Sequence, residues 1–193
     1  MNNITKILIL FCFITGILHS QTFQLGLRSE STWYQTTAFY TESVPLSHIF
    51  ITVGLHEENI SLLNDLTEEI RFGRTFSPDY MAGSDLTLAL KSHIIKNPFY
   101  ISIGINMHSN IGYNGNSWVA YVKNVYMFMF GIGLSLGNHV FVDVLKYVPI
   151  SNPSLGESDS YDYINKIILK QPWKLNSLVA INFGFTLDIF HCK

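Results

Sequence analysis

Alternation of apolar and polar residues with a period of two runs through most of the chain, and it fixes the fold class before any motif is considered. A strand turns successive side chains to opposite faces, so strict alternation describes a sheet with one apolar and one polar face. From Phe99 to Asn110 the odd positions carry Phe99, Ile101, Ile103, Ile105 and Met107. The even positions carry Tyr100, Ser102, Gly104, Asn106, His108 and Asn110. Near the C-terminus Val179, Ile181, Phe183, Phe185, Leu187 and Ile189 oppose Ala180, Asn182, Gly184, Thr186 and Asp188. Six further segments obey the rule, around 23–28, 49–56, 70–75, 86–93, 126–135 and 140–144. The pattern predicts an all-β chain of about eight strands, with 34–42 a weaker ninth candidate. An even number closes a simple antiparallel up-and-down barrel.

The connections sharpen this. Lys96-Asn97-Pro98 and Leu136-Gly137-Asn138 read as tight turns. The alternate connections, roughly 32–45, 77–83, 110–123 and 150–175, are long. Short turns at one end and long loops at the other are the arrangement of outer-membrane barrels, whose short turns and both termini face the periplasm. Residues 57–66 break the rule with about ten residues where a short turn belongs, and a helical turn is expected there.

Composition decides which face points out. Apolar residues make up 48% and charged residues 13%, about half the usual charged share of a soluble globular chain. Such a chain is not intrinsically disordered. A net charge of −2 without a basic cluster excludes a nucleic-acid partner. The polar faces hold mainly Gly, Ser, Thr, Asn and Ala, with isolated charges at Arg28, Glu30, Arg71, Lys91 and Asp143. That is too little charge for a water-facing exterior. The apolar faces are therefore predicted to meet lipid and the polar faces to line the lumen. A soluble ligand-binding barrel, periplasmic or secreted, is the alternative with the faces exchanged. Trp33, Tyr34, Trp118, Tyr121 and Trp173 fall toward the outer strand ends and are expected to form an interfacial aromatic girdle.

Residues 1–20 read as a cleaved signal peptide: Lys6, the apolar run Ile7 to Leu18, then small Ser20 before Gln21. The run is too short for a membrane-spanning helix, which needs roughly 20 residues. Residues 21–193 are then the barrel domain. Cys12 leaves with the signal, and Cys192 has no partner for an intramolecular disulfide.

In this pattern the chain resembles the small eight-stranded outer-membrane barrels of the OmpA/OmpX type, and the broad outer membrane protein beta-barrel domain families, over about residues 21–190. The resemblance implies a closed antiparallel barrel in the bacterial outer membrane, its lumen filled by side chains. It implies no single activity.

Three constellations have residue types that could carry chemistry. Arg28, Glu30, Arg71, Lys91, His93 and Asp143, with His108, form a predicted lumen network, because facing charges in a narrow barrel must pair. Met107-His108-Ser109-Asn110 resembles the His-x-Ser-Asn motif of PagL-type lipid A deacylases. There, base and nucleophile lie two apart on one face; here His108 and Ser109 are adjacent and face opposite ways unless a bulge intervenes. Pro149-Ile150-Ser151-Asn152 resembles the same motif with proline in place of the base, leaving Ser151 without one and Asp162 as a stranded acidic partner. The seven histidines show no metal-binding spacing, and Gly131-Ile132-Gly133 lies in a strand where glycines make room for bulky neighbours.

The expected protein is an integral outer-membrane barrel, monomeric, without metal or cofactor. Its role is structural or interactive, through outer loops (above all 150–175) that contact lipid, lipopolysaccharide, a protein or a surface. A PagL-like lipid acyl hydrolase is the enzymatic alternative.

Overall fold

The computed structural model describes residues 21–37, 42–58, 65–76, 81–93, 98–114, 118–137, 139–151, 154–162 and 164–192. The expected signal peptide and the centre of the 57–66 connection lie outside the described residues.

Those residues form nine strands: β1 (Gln21–Thr36), β2 (Glu42–Glu58), β3 (Asp65–Thr75), β4 (Gly83–His93), β5 (Phe99–Asn114), β6 (Trp118–Leu136), β7 (Val140–Pro149), β8 (Ser154–Asp162) and β9 (Ile167–Cys192). From β1 to β7 each strand pairs antiparallel with the next, β7 pairs with β9, and β9 returns to β1. The last ladder runs from Gln21↔Cys192 to Thr36↔Leu175, so the barrel closes and leaves no open edge in its wall.

The wall has eight staves because β7 and β8 share one. β6 pairs with β7 from Met127 to Leu136 and with β8 from Trp118 to Ala120. β9 pairs with β7 at Tyr147↔Leu178 and below, and with β8 from Ser154↔Lys174 to Asp162↔Ile167. The ninth strand thus falls at 154–162 rather than at 34–42.

The same pairing corrects the expected long loops. β1 and β2 extend to Thr36 and from Glu42, β5 and β6 extend to Asn114 and from Trp118, and most of 150–175 is the β8–β9 hairpin. Backbone groups must be paired wherever they run together, whether or not a lipid face imposes alternation on the side chains.

The two faces separate cleanly. Leu27, Ile51, Phe72, Leu88, Ile103, Phe128, Val144 and Phe183, one from each stave, are 38–57% exposed. Arg28, Thr52, Arg71, Thr87, Ser102, Met127, Asp143 and Asn182, again one per stave, are at most 2% exposed. The outer half of the lumen is closed by an apolar plug that includes Tyr34, Met81, Met127, Leu155, Trp173 and Leu178. One irregularity feeds the tier beneath it. Leu46 adopts φ +53° at a bulge in β2, which turns Ser47 and His48 inward together.

Candidate functional site in the barrel lumen

Below the plug the lumen holds two tiers of charge. In the lower tier, Arg28 Nη1 donates to Asp143 Oδ2 at 2.9 Å and Nη2 donates to Glu69 Oε2 at 2.9 Å. Arg71 Nε donates to the same Glu69 oxygen at 3.0 Å, so one carboxylate bridges two guanidinium groups. The Tyr100 hydroxyl donates to Asp143 Oδ2 at 2.7 Å. Lys91 belongs to this tier by height but lies against aromatic rings, its Nζ 4.0 Å from the Tyr100 centroid and 4.5 Å from that of Phe141.

The upper tier is built from carboxylates and histidines. Tyr147 donates its hydroxyl proton to Glu30 at 2.8 Å. His48 sits between two acids, its ring nitrogens 3.7 Å from Glu30 and 3.9 Å from Asp85. His108 Nδ1 lies 3.1 Å from Asp85 Oδ1, and the Thr75 hydroxyl donates to Oδ2 of the same carboxylate. Removing one member of such a buried set leaves an uncompensated charge, at a cost of about 3–5 kcal/mol.

At the turn end the lumen opens into a cavity of about 560 Å³. His93 stands at its wall, Nδ1 2.6 Å from Asp65 and Nε2 2.9 Å from Ser135 Oγ.

The predicted lumen residues therefore divide by height. Arg28, Arg71 and Asp143 join in one network, Glu30 belongs to the tier above, Lys91 touches rings, and His93 stands in the vestibule. Glu69, Asp85, Tyr100, Tyr147 and His48 complete the tiers and were not singled out from the sequence. Parity was the available signal: Glu69 shares its face with Arg71, and Asp85 with Lys91, once β3 and β4 are extended outward from their most regular parts.

The proposed nucleophile–base pair does not assemble. β5 keeps unbroken register with β4 and β6 across His108 and Ser109, with no bulge between them. His108 is fully buried in the lumen, while Ser109 on the other face donates to Asn124 Oδ1 at 2.9 Å. Ser151 lies in the bend that ends the lower part of its stave, exposed and just beyond Pro149. Among the described residues no group of three or more His, Cys, Asp or Glu side chains is placed to hold a metal ion.

Two members of the expected aromatic girdle are corrected. Tyr34 and Trp173 are buried inside the plug. Tyr34 is on the even, inward face of β1 with Arg28, Glu30 and Thr32. Trp173 turns inward because the β1–β9 register shifts at Gln35/Thr36, where Ser177 and Leu178 are both buried and the inward parity of β9 changes from even to odd. Trp33 remains on the outward face, half-buried, and Tyr121 is exposed. Trp118 opens β6, and its side chain is outside the described set.

No family model and no curated protein matches the chain. Among solved structures it is similar to the crystal structure of Neisserial surface protein A, with 7% identity and a TM-score of 0.41 over 89% of this chain and 99% of that one. It is also similar to the crystal structure of the N-terminal β-barrel domain of Pseudomonas aeruginosa OprF, with 11% identity and a TM-score of 0.46 over 88% of this chain and all (100%) of that one.

Proposed function

We propose that this chain is an integral outer-membrane barrel that acts through its outer surface, with the lumen as a rigid scaffold. The inside-out distribution of polarity carries this reading. Every stave presents large apolar side chains outward, and seven of the eight bury polar or charged ones, β6 burying Val125, Met127 and Met129 instead. A soluble barrel does the reverse, and an apolar surface of this extent is incompatible with a monomer in water. A bilayer accepts it, since a closed barrel satisfies all wall hydrogen bonds internally.

The tight turns and termini would then face the periplasm, and the β8–β9 hairpin would stand outside. That hairpin has the chemistry of a contact element. Asp159 to Asp162 pair only with β9, and Tyr161, Ile164, Ile167 and Ile168 are exposed. Lipopolysaccharide, a protein or another surface are its proposed partners, and closure of the wall favours a monomer. A lipid acyl hydrolase is disfavoured by the opposite facing of His108 and Ser109.

The test is a detergent gel of the outer-membrane fraction, unheated against boiled. A folded barrel migrates differently until boiled. An unshifted band in the soluble periplasm would overturn the reading and favour a soluble barrel. Acyl release from lipid A that is lost in Ser109→Ala or Ser151→Ala would restore the enzymatic alternative.

A further inference from the structure

We propose that the vestibule at the turn end is a binding site for a small solute carrying one carboxylate or phosphate group, received by the ammonium of Lys91. Three cations and two carboxylates share the lower tier. Arg28 contacts Glu69 and Asp143, and Arg71 contacts Glu69, while Asp143 Oδ1 has no hydrogen-bond partner. Lys91 is the remaining cation, 7% exposed; Glu69 and Asp143 attract it through space, but among the described residues no hydrogen bond or salt bridge engages it.

What holds Lys91 is a pair of ring faces, Tyr100 and Phe141. Cation–π contact fixes an ammonium in place. It satisfies none of the three N–H donors with an acceptor lone pair. Lys91 also lines the cavity, two residues inward of His93 on β4. The result is a positioned, nine-tenths buried cation, short of acceptors, at the inner end of a cavity of about 560 Å³. That volume is within the usual range for small-molecule sites.

The walls agree with an anion of limited size. Thr67, Ser135 and His56 supply further polar groups. Of the acids at the cavity, Asp65 is engaged by His93 and Asp188 accepts from the Gln24 amide at 2.9 Å. Glu58 remains exposed at the rim. This arrangement repels polyanions at the mouth and selects a solute with one anionic group and a neutral or cationic remainder.

The experiment uses the folded full barrel in dodecyl maltoside, which carries no phosphate or carboxylate of its own. Inorganic phosphate and acetate are titrated at fixed ionic strength by calorimetry and by ³¹P line width. Saturable one-site binding, with each anion displacing the other, is expected. Lys91→Met should weaken it by at least about tenfold, as loss of a charge-assisted hydrogen bond implies, while Lys91→Arg stays within a few-fold. Folding of each variant is checked by its gel shift. Should Lys91→Met not fold, Gln24→Trp narrows the entrance without touching Lys91 and is expected to weaken binding. Absence of saturable binding by wild type, or unchanged binding in the folded Lys91→Met or Gln24→Trp variant, would overturn the assignment. Binding in detergent is independent of which membrane or compartment holds the barrel, so its failure and a failed outer-membrane assignment are separate results.

Discussion

Tyr100 lies directly across the β5–β6 ladder from Gly133, and its ring fills the volume that a side chain at Gly133 would need. The relationship recurs at Phe50 with Gly73, Phe141 with Gly184 and Trp173 with Gly156, each a register pair. At these four positions the inward ring lies down along the wall, over a glycine that leaves room for it.

Gly133→Ala is therefore expected to destabilise the barrel by about 1–3 kcal/mol, the usual cost of overpacking. The displaced ring would also strain the Tyr100–Asp143 hydrogen bond. Urea unfolding in lipid vesicles measures this, and an unchanged midpoint would show that the ring has room to move.

Glu69 is the keystone of the lower tier, since it alone accepts from both Arg28 and Arg71. Glu69→Gln keeps the shape and removes the charge, leaving Arg71 without a carboxylate partner. A loss of about 3–5 kcal/mol is expected, read as a lower unfolding midpoint and a lower temperature for the gel shift. A loss near zero would mean that water or Glu30 compensates.

Depth should tune the tolerance of the outer wall. Ile103 and Ile111 both point outward from β5, Ile103 in the middle of the apolar band and Ile111 toward its outer end. Ile103→Arg should cost about 2–4 kcal/mol and Ile111→Arg about 0–1, if the band spans a bilayer. Equal small effects in both would contradict a lipid-facing wall.

The β8–β9 hairpin stands outside the apolar band and should respond to pH on its own. The hydrogen bond from Lys170 Nζ at 2.7 Å holds the Glu157 carboxyl below its usual range, with the Tyr121 hydroxyl assisting. The Asn165 side-chain amide, with the backbone amides of Asn165 and Ile164, does the same for Asp162. A depressed carboxyl stabilises above its unfolded value, and that contribution is lost as pH falls through the folded one. The bond to Glu157 conversely raises Lys170, whose contribution is present below its ordinary value and lost at high pH. Hydrogen exchange, corrected for intrinsic rates, should show the hairpin amides losing protection in acid while the wall keeps its own. Equal protection at neutral and acid pH would refute this.

The wall was legible in the sequence because its exposed apolar face and its lumen impose opposite demands on neighbouring residues. Ile101 to Asn110 could hardly alternate so strictly otherwise. Legibility faded where those demands ceased. Val119 to Asn124 lie at and beyond the outer end of the band, and β6 continues through them without alternation. Trp173, expected in the girdle from its place toward an outer strand end, turns inward past a register shift that leaves no compositional mark. Arg28 and Asp143 could be named as inward charges, but their joining through Glu69 depended on the heights at which three staves meet.

The break in the seventh stave between Pro149 and Ser154 has an evolutionary reading. β7 closes the wall between β6 and β9 below the break, and the first residues of β8 close it above, at Trp118 to Ala120. Only the part of the hairpin beyond Ser158 stands clear of β6. The length and sequence of that tip can diverge without disturbing a wall ladder, while Leu155, Gly156 and Trp173 at its base stay constrained by the plug.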